Sequence, residues 1–217
     1  MVRHGLVNRP RHDLEKIAVT IHGRKTLARR RVTSSPGRTT GRDEEYCAAL
    51  ALAYARDNTR AQALSDDLSK RFPDETIVQF NYLPTLRAKL AVSRGNTSEA
   101  IETLRIAAPN DLAKVGATND WAAVYPIYVR AEAYLGAHEG VEAAAEFQKI
   151  LDHRGIVLNE PIGALAHLGL ARSYALQGDS LKARVAYQNF LTLWKDADPE
   201  FRSLSVPNPN TRSSNDF

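Results

Sequence analysis

The chain has 217 residues, 43% of them apolar, enough to bury a substantial core in one or two modules, and its mean hydropathy of −0.37 is that of a soluble globular sequence rather than a disordered one. It contains no run of 18 apolar residues and no apolar stretch of secretory type behind its charged N-terminus, so the sequence predicts neither a membrane span nor a signal peptide and reads, as written, as cytoplasmic. The single cysteine, Cys47, excludes an intramolecular disulfide and a cysteine-based zinc site; among alanines on a predicted helix it reads as a small buried thiol.

The net charge of +4 averages two unlike parts. Residues 1–42 hold eleven Lys/Arg against Asp13 and Glu15, a local charge of +9, and the remainder carries −5. Clustered cations release counterions from phosphate, so such a leader suits a nucleic-acid arm or an anchor on an anionic surface. Its arginines have no aromatic residue among them and no sustained amphipathic period, and it ends in Thr33-Ser34-Ser35-Pro36-Gly37. Residues 1–42 therefore read as a disordered leader, with the nucleic-acid arm kept as an alternative.

From Asp43 the composition turns alanine- and leucine-rich. A first helix pair is predicted with its turn at Asp57-Asn58-Thr59, a buried face of Ala61, Leu64, Leu68 and Phe72, and an end at Phe72-Pro73-Asp74, where proline disfavours helix in the residue before it. A second pair follows: Pro84 either opens its first helix or kinks it, Gly95 ends that helix, and Asn96 with Glu99 has capping-box spacing. Ala100, Leu104, Ala107 and Ala108 then recur at i, i+4, i+7 and i+8. After a polar linker, Asn110 to Asp120, a third pair carries Ala131, Tyr134, Ala143, Phe147 and Ile150. A fourth carries Ala171, Tyr174, Ala183, Tyr187 and Phe190 at the same offsets. Between them, Ile156-Val157-Leu158 is expected to tuck under the adjoining helices. In the fourth pair Gly178 closes one helix, Asp179-Ser180 caps the next, and Tyr187, Phe190, Leu191 and Trp194 form its core stripe. Beyond Pro199 the polar, proline-containing residues 200–217 read as a disordered tail.

Taking the turns at Arg56, Gly95, His138 and Gly178, the repeat spacings are 39, 43 and 40 residues. A small residue, an aromatic three later, a turn, an alanine and a large apolar residue resemble the tetratricopeptide (TPR) repeat, although its usual period is about 34. The resemblance implies an all-α, TPR-like helix-turn-helix solenoid of about four helix pairs over residues 43–199, a module that binds protein or peptide and needs no cofactor. IVQFNYLPTLRAKLA (Ile77 to Ala91), VYPIYVRAEAYL (Val124 to Leu135), FQKILDHRGIVLNEPIGALAHLGLARSYALQGD (Phe147 to Asp179) and NFLTLWKDADP (Asn189 to Pro199) look like the C-terminal TPR region of bacterial, especially acidobacterial, receptor-like serine/threonine protein kinases. Full-length relatives of that kind would be membrane-anchored. This chain carries no GxGxxG loop, no VAIK-like lysine and no DFG, and Asp152-His153-Arg154-Gly155 has glycine where the catalytic HRD needs aspartate. The sequence thus reads as non-catalytic, the alternative being a kinase whose catalytic domain lies outside this chain. The resemblance stops near Arg42 and Pro199, which is what a truncated or frame-shifted reading frame would produce; no capping helix covers the last pair.

If the pairs stack as TPRs do, their first helices line a concave groove for a protein or peptide partner, and the positions facing it are Tyr46, Tyr82, Lys89, Tyr125, Tyr128, Glu132, Leu168 and Arg172. Tyrosine and arginine join large contact area to a polar end, which suits interfaces. The alternative for Tyr125 and Tyr128 is packing against the preceding loop. Tyr46, Thr85, Tyr128 and Leu168 stand where chaperone-binding TPRs carry a clamp lysine, so no chaperone assignment follows. His138, His153 and His167 show no metal-ligand spacing and read as surface or loop histidines; Asp66-Asp67, Asp196, Asp198, Glu142 and Glu146 read as solvated charges.

Overall fold

The computed structural model describes residues 41–112, 124–157 and 160–195, and among them the chain is all-helical with no strand. The expected tail lies outside the described residues, as does the expected leader but for Gly41 and Arg42. Four helical hairpins follow one another. The first joins α1 (Arg42–Tyr54) to α2 (Asn58–Arg71). The second joins α3 (Leu83–Arg94), entered through a π-turn at Val78–Tyr82, to the short α4 (Thr97–Thr103). The third joins α5 (Tyr125–Gly136) to α6 (Gly140–Asp152); after the single turn α7 (Arg154–Val157), the fourth joins α8 (Ile162–Leu176) to α9 (Ser180–Trp194).

Each hairpin turns on one left-handed residue: Arg56 (φ 60°), Gly95 (87°), His138 (63°) and Gly178 (77°), the four positions read from the sequence. The next amide reaches back five residues, from Asp57, Asn96, Glu139 and Asp179 to the carbonyls of Leu52, Ala91, Tyr134 and Tyr174, at 2.9 Å in every case. This is the Schellman closure, which satisfies carbonyls that the helix end leaves unpaired. Asp57 and Asp179 then cap the following helix by accepting from the amides of Arg60 and Lys182. The capping box expected at Asn96 does not form. Its amide donates to the Glu99 carboxylate at 3.1 Å instead of capping the backbone.

Counted from those turns, the register of the four hairpins is the same. Seven residues before each stand Ala49, Ala88, Ala131 and Ala171; five after stand Ala61, Ala100, Ala143 and Ala183, and all eight are buried. A methyl side chain on both helices at the crossing lets them approach closely, so the larger residues fill the spaces between hairpins. Twelve residues after the turns, Leu68, Ile150 and Phe190 supply that filling, the second hairpin has Ala107 at the same offset, and all four are buried. α3, α5 and α8 each pack on both helices of the hairpin before them. The first helices thereby form one continuous row. At the third junction, a Cβ on Gly169 would lie 2.3–2.5 Å from the Phe147 ring, so α8 approaches α6 at a distance only glycine permits.

Other expectations are corrected in detail. Pro84 is the second residue of α3; having no N–H, it cannot continue the preceding helical ladder, and the π-turn before it absorbs the mismatch. Ala108 is exposed because α4 ends at Thr103 and Ala108 begins a separate 3-10 turn, Ala108–Asn110, out of the helical register. Leu191 is 40% exposed, since among the described residues no element covers that side of α9, while Phe190 is buried and Tyr187 and Trp194 are partly so. Cys47 is half-buried. Val157 is buried and Ile156 partly buried, as expected; Leu158 lies outside the described residues.

Two stability outcomes follow. Arg56→Gly and His138→Gly each relieve a left-handed penalty of about 1–2 kcal/mol, partly offset by glycine's greater freedom in the unfolded chain, so each should stabilise by about 0.5–1 kcal/mol in urea denaturation followed by circular dichroism. Gly169→Ala, although alanine favours helix, should destabilise by about 1–3 kcal/mol through overpacking, and Phe147→Leu should restore part of the loss. A neutral Gly169→Ala would contradict the close approach.

Candidate functional site: the inner row of helices

The eight residues expected to face a groove lie along the row formed by α1, the π-turn with α3, α5 and α8. Seven of them, Tyr46, Tyr82, Lys89, Tyr125, Tyr128, Glu132 and Leu168, are buried, and Arg172 is half-buried. They pack on their own neighbours instead of lining an open channel. The Tyr46 and Tyr82 rings stack at 3.9 Å and 3°, and the Tyr82 hydroxyl donates to Asp43 Oδ1 at 2.8 Å. Tyr128 meets Phe147 edge-on at 5.6 Å and 70°. Burial pushes the hydroxyl pKa of Tyr46, Tyr82, Tyr125 and Tyr128 above the usual tyrosine range, so all four stay neutral. The inner side chains of successive hairpins meet one another, ring on ring, before they meet water.

Two of the eight are brought into a charged contact. Lys89 Nζ donates to Glu132 Oε2 at 2.9 Å with side-chain exposure of only 7% on each. Tyr54, which the sequence reading passed over, completes the site: its hydroxyl donates to the same oxygen at 3.1 Å, and Lys89 Nζ sits 3.8 Å from its ring centroid. Burial, with Glu132 beside it, pushes the Tyr54 hydroxyl well above its ordinary pKa. The ammonium is thus held between a carboxylate and an aromatic face, a cation–π and ion-pair combination that joins the first, second and third hairpins. An amine so covered is out of reach of a substrate; its chemistry is that of a tie. Nothing in the repeat pattern could have flagged Tyr54, because its equivalents are Ser93, Gly136 and Leu176.

A second buried network, also missed, ties the segment after the second hairpin to the third. Asp111 accepts from both Nη atoms of Arg130 and from Lys149 Nζ at 2.6 Å, and Arg130 Nη2 also donates to Glu146 at 2.6 Å. Burial alone would lower the Arg130 pKa, but hydrogen bonds to Asp111 and Glu146 carry it above its usual value. Glu146 is therefore a half-buried partner and not the solvated charge expected, and Asp111 is buried despite its place in a segment read as a polar linker. Asp67 likewise pairs with Arg71 at 3.0 Å.

Of the histidines, His138 is a left-handed turn residue, His153 Nδ1 lies 2.7 Å from the Lys149 carbonyl, and burial with Arg154 nearby lowers the pKa of His167. Among the described residues no group of three or more His, Cys, Asp or Glu is placed to hold a metal ion, and no helix is long and apolar enough to cross a membrane. Comparison with protein-family models, curated proteins and solved structures found no match.

The buried pair has a measurable signature. Glu132→Leu alone leaves Lys89 buried without a counter-charge and should cost about 3–5 kcal/mol, whereas Lys89→Met with Glu132→Leu should be close to neutral. Additive losses in urea denaturation would mean that the two charges act independently.

Proposed function

We propose that the chain is a TPR-like solenoid acting as a protein–protein interaction scaffold, and that it is non-catalytic. The observation that carries this reading is the register shared by all four hairpins: the same left-handed closure with paired alanines at the same offsets. Repeats of this kind stack one supersecondary unit on the next and present extended surfaces, a form suited to holding partners. Relationship to the TPR region of bacterial receptor-like serine/threonine kinases rests on the sequence strings alone, and cytoplasmic residence on the composition. The buried ionic contacts also support a scaffold, because Lys89, Glu132, Arg130 and Asp111 are consumed in joining hairpins.

Placement of a photo-crosslinking amino acid tests this directly. Substituted at Tyr174, beside the inner row, it should give a discrete protein adduct in the source cells, and at Glu142, on the outer helix α6, it should not. Adducts equal at both positions, or absent from both, would count against a partner on the inner side.

A further inference from the structure

α6 and α9 are equivalent helices: each is the second of its hairpin, follows the same left-handed turn and packs on α8. A buried alanine five residues after the turn and a buried large residue twelve after it fix which side of each faces inward, so the same offsets face out on both. At offset three stand Val141, 63% exposed, and Leu181, 66% exposed. At offset four stand Glu142 and Lys182, and at offset seven Ala145 and Val185, all exposed. The charges of the two faces are opposite. α6 shows Glu142 and Asp152, with Glu139 just before it, and its one cation, Lys149, is turned to Asp111. α9 contains Lys182 and Arg184, is followed by Lys195, and has no acid. Over whole hairpins, the third has Arg130 and Lys149 against Glu132, Glu139, Glu142, Glu146 and Asp152, a net −3. The fourth has Arg172, Lys182, Arg184 and Lys195 against Asp179 alone, a net +3.

We propose that these outer faces are the two halves of one self-association surface: α9 of one copy lies against α6 of a second copy, and α6 against α9, about a two-fold axis parallel to the helices. Such an axis preserves the level along the helices, so residues of equal offset meet. Val141 meets Leu181, Glu142 meets Lys182, and Ala145 meets Val185. The apolar pairs give up exposed surface, and the small Ala145 lets the helices close over Val185. Lys182, 3.0 Å from Asp179 of its own chain, then stands between that carboxylate and Glu142 of the second copy. Arg184 brings a further cation to the acidic face. One like-charge approach remains, Glu139 to Asp179, with Lys182 beside it. Pairing each face with itself is worse, because α9 on α9 gathers cations and α6 on α6 gathers acids. The crossed contact is self-complementary and closes, so its product is a dimer and not a chain of copies. The surface lies on the second helices, away from the inner row, and is independent of the scaffold reading.

The test is sedimentation equilibrium of the full chain over a range of concentrations. A concentration-dependent dimer should form and should weaken in about 1 M salt, which screens the charged contacts. Glu142→Lys and Lys182→Glu should each raise the dimer dissociation constant about tenfold or more, because two-fold symmetry makes every substitution count twice. Mixed together, the two variants should form a heterodimer, since both crossed contacts are then complementary again. Lys70→Glu, which reverses an exposed charge on α2, should change the dissociation constant by less than about twofold. If a reversed variant loses its helical circular dichroism, Leu181→Ser, which leaves every charge in place, serves instead and should weaken the dimer several-fold. A chain that stays monomeric up to about 0.5 mM would overturn the proposal, as would a dimer unmoved by the α6 and α9 substitutions, a mixture that stays monomeric, or assemblies larger than a dimer. A crosslinker placed at Glu142 takes this carboxylate from both contacts, so its silence is expected with or without the pairing.

Discussion

Close approach of helices at alanine governs this molecule. Eight buried alanines, two per hairpin, set the distance between paired helices, and most other features answer to that distance. Because a methyl group leaves little to bury at the crossing itself, the apolar area must come from residues about two turns away, Leu68, Ile150 and Phe190 among them, which fill the seams between hairpins. A hairpin of this kind cannot bury those residues alone. Stability is a property of neighbours, which is why α3, α5 and α8 each rest on two helices of the preceding unit.

The same closeness decides what becomes of the inner side chains. Were the first helices further apart, Tyr46, Tyr82 and Tyr128 would stand in water; here their rings stack or meet edge-on and their hydroxyls lose solvent. Lys89 and Glu132 would each be expensive to bury alone, and they persist because they meet each other and Tyr54. A buried charged contact adds little net stability against an apolar replacement, but it tolerates only one register. Placed where three hairpins converge, it acts as a register pin: sliding α5 along α3 by one turn would leave two buried charges unpaired.

How legible this was depended on whether a feature lay within one hairpin or between hairpins. The turn residues were legible, including Arg56 and His138, because the flanking apolar pattern demanded a reversal even where glycine was missing. Alanine offsets in the third and fourth hairpins were visible for the same reason: periodicity is local. Tyr54, Asp111 and Arg130 were not, since their partners lie 78 residues away for Tyr54 and 19 for the Asp111–Arg130 pair, and no local pattern encodes such a distance. Exposure was misread wherever it depended on a neighbouring element. Tyr46 and Tyr82 were expected to be open and are covered, Tyr125 and Tyr128, read as either open or packed, are covered too, and Leu191 was expected to be covered and is exposed.

A gradient runs along the row as a consequence. At its start α1 is pressed between its own hairpin and the next, and its inner residues are almost wholly buried; behind its last member, α8, the second helix of that hairpin, α9, shows Leu181, Val185, Leu191 and Leu193 to solvent. Among the described residues no element packs over this face of α9, so its apolar side chains are the least covered of the four hairpins'. Along the inner row, by contrast, the rings are packed and the ion pair is neutralised, so opening that face would mean displacing contacts already made.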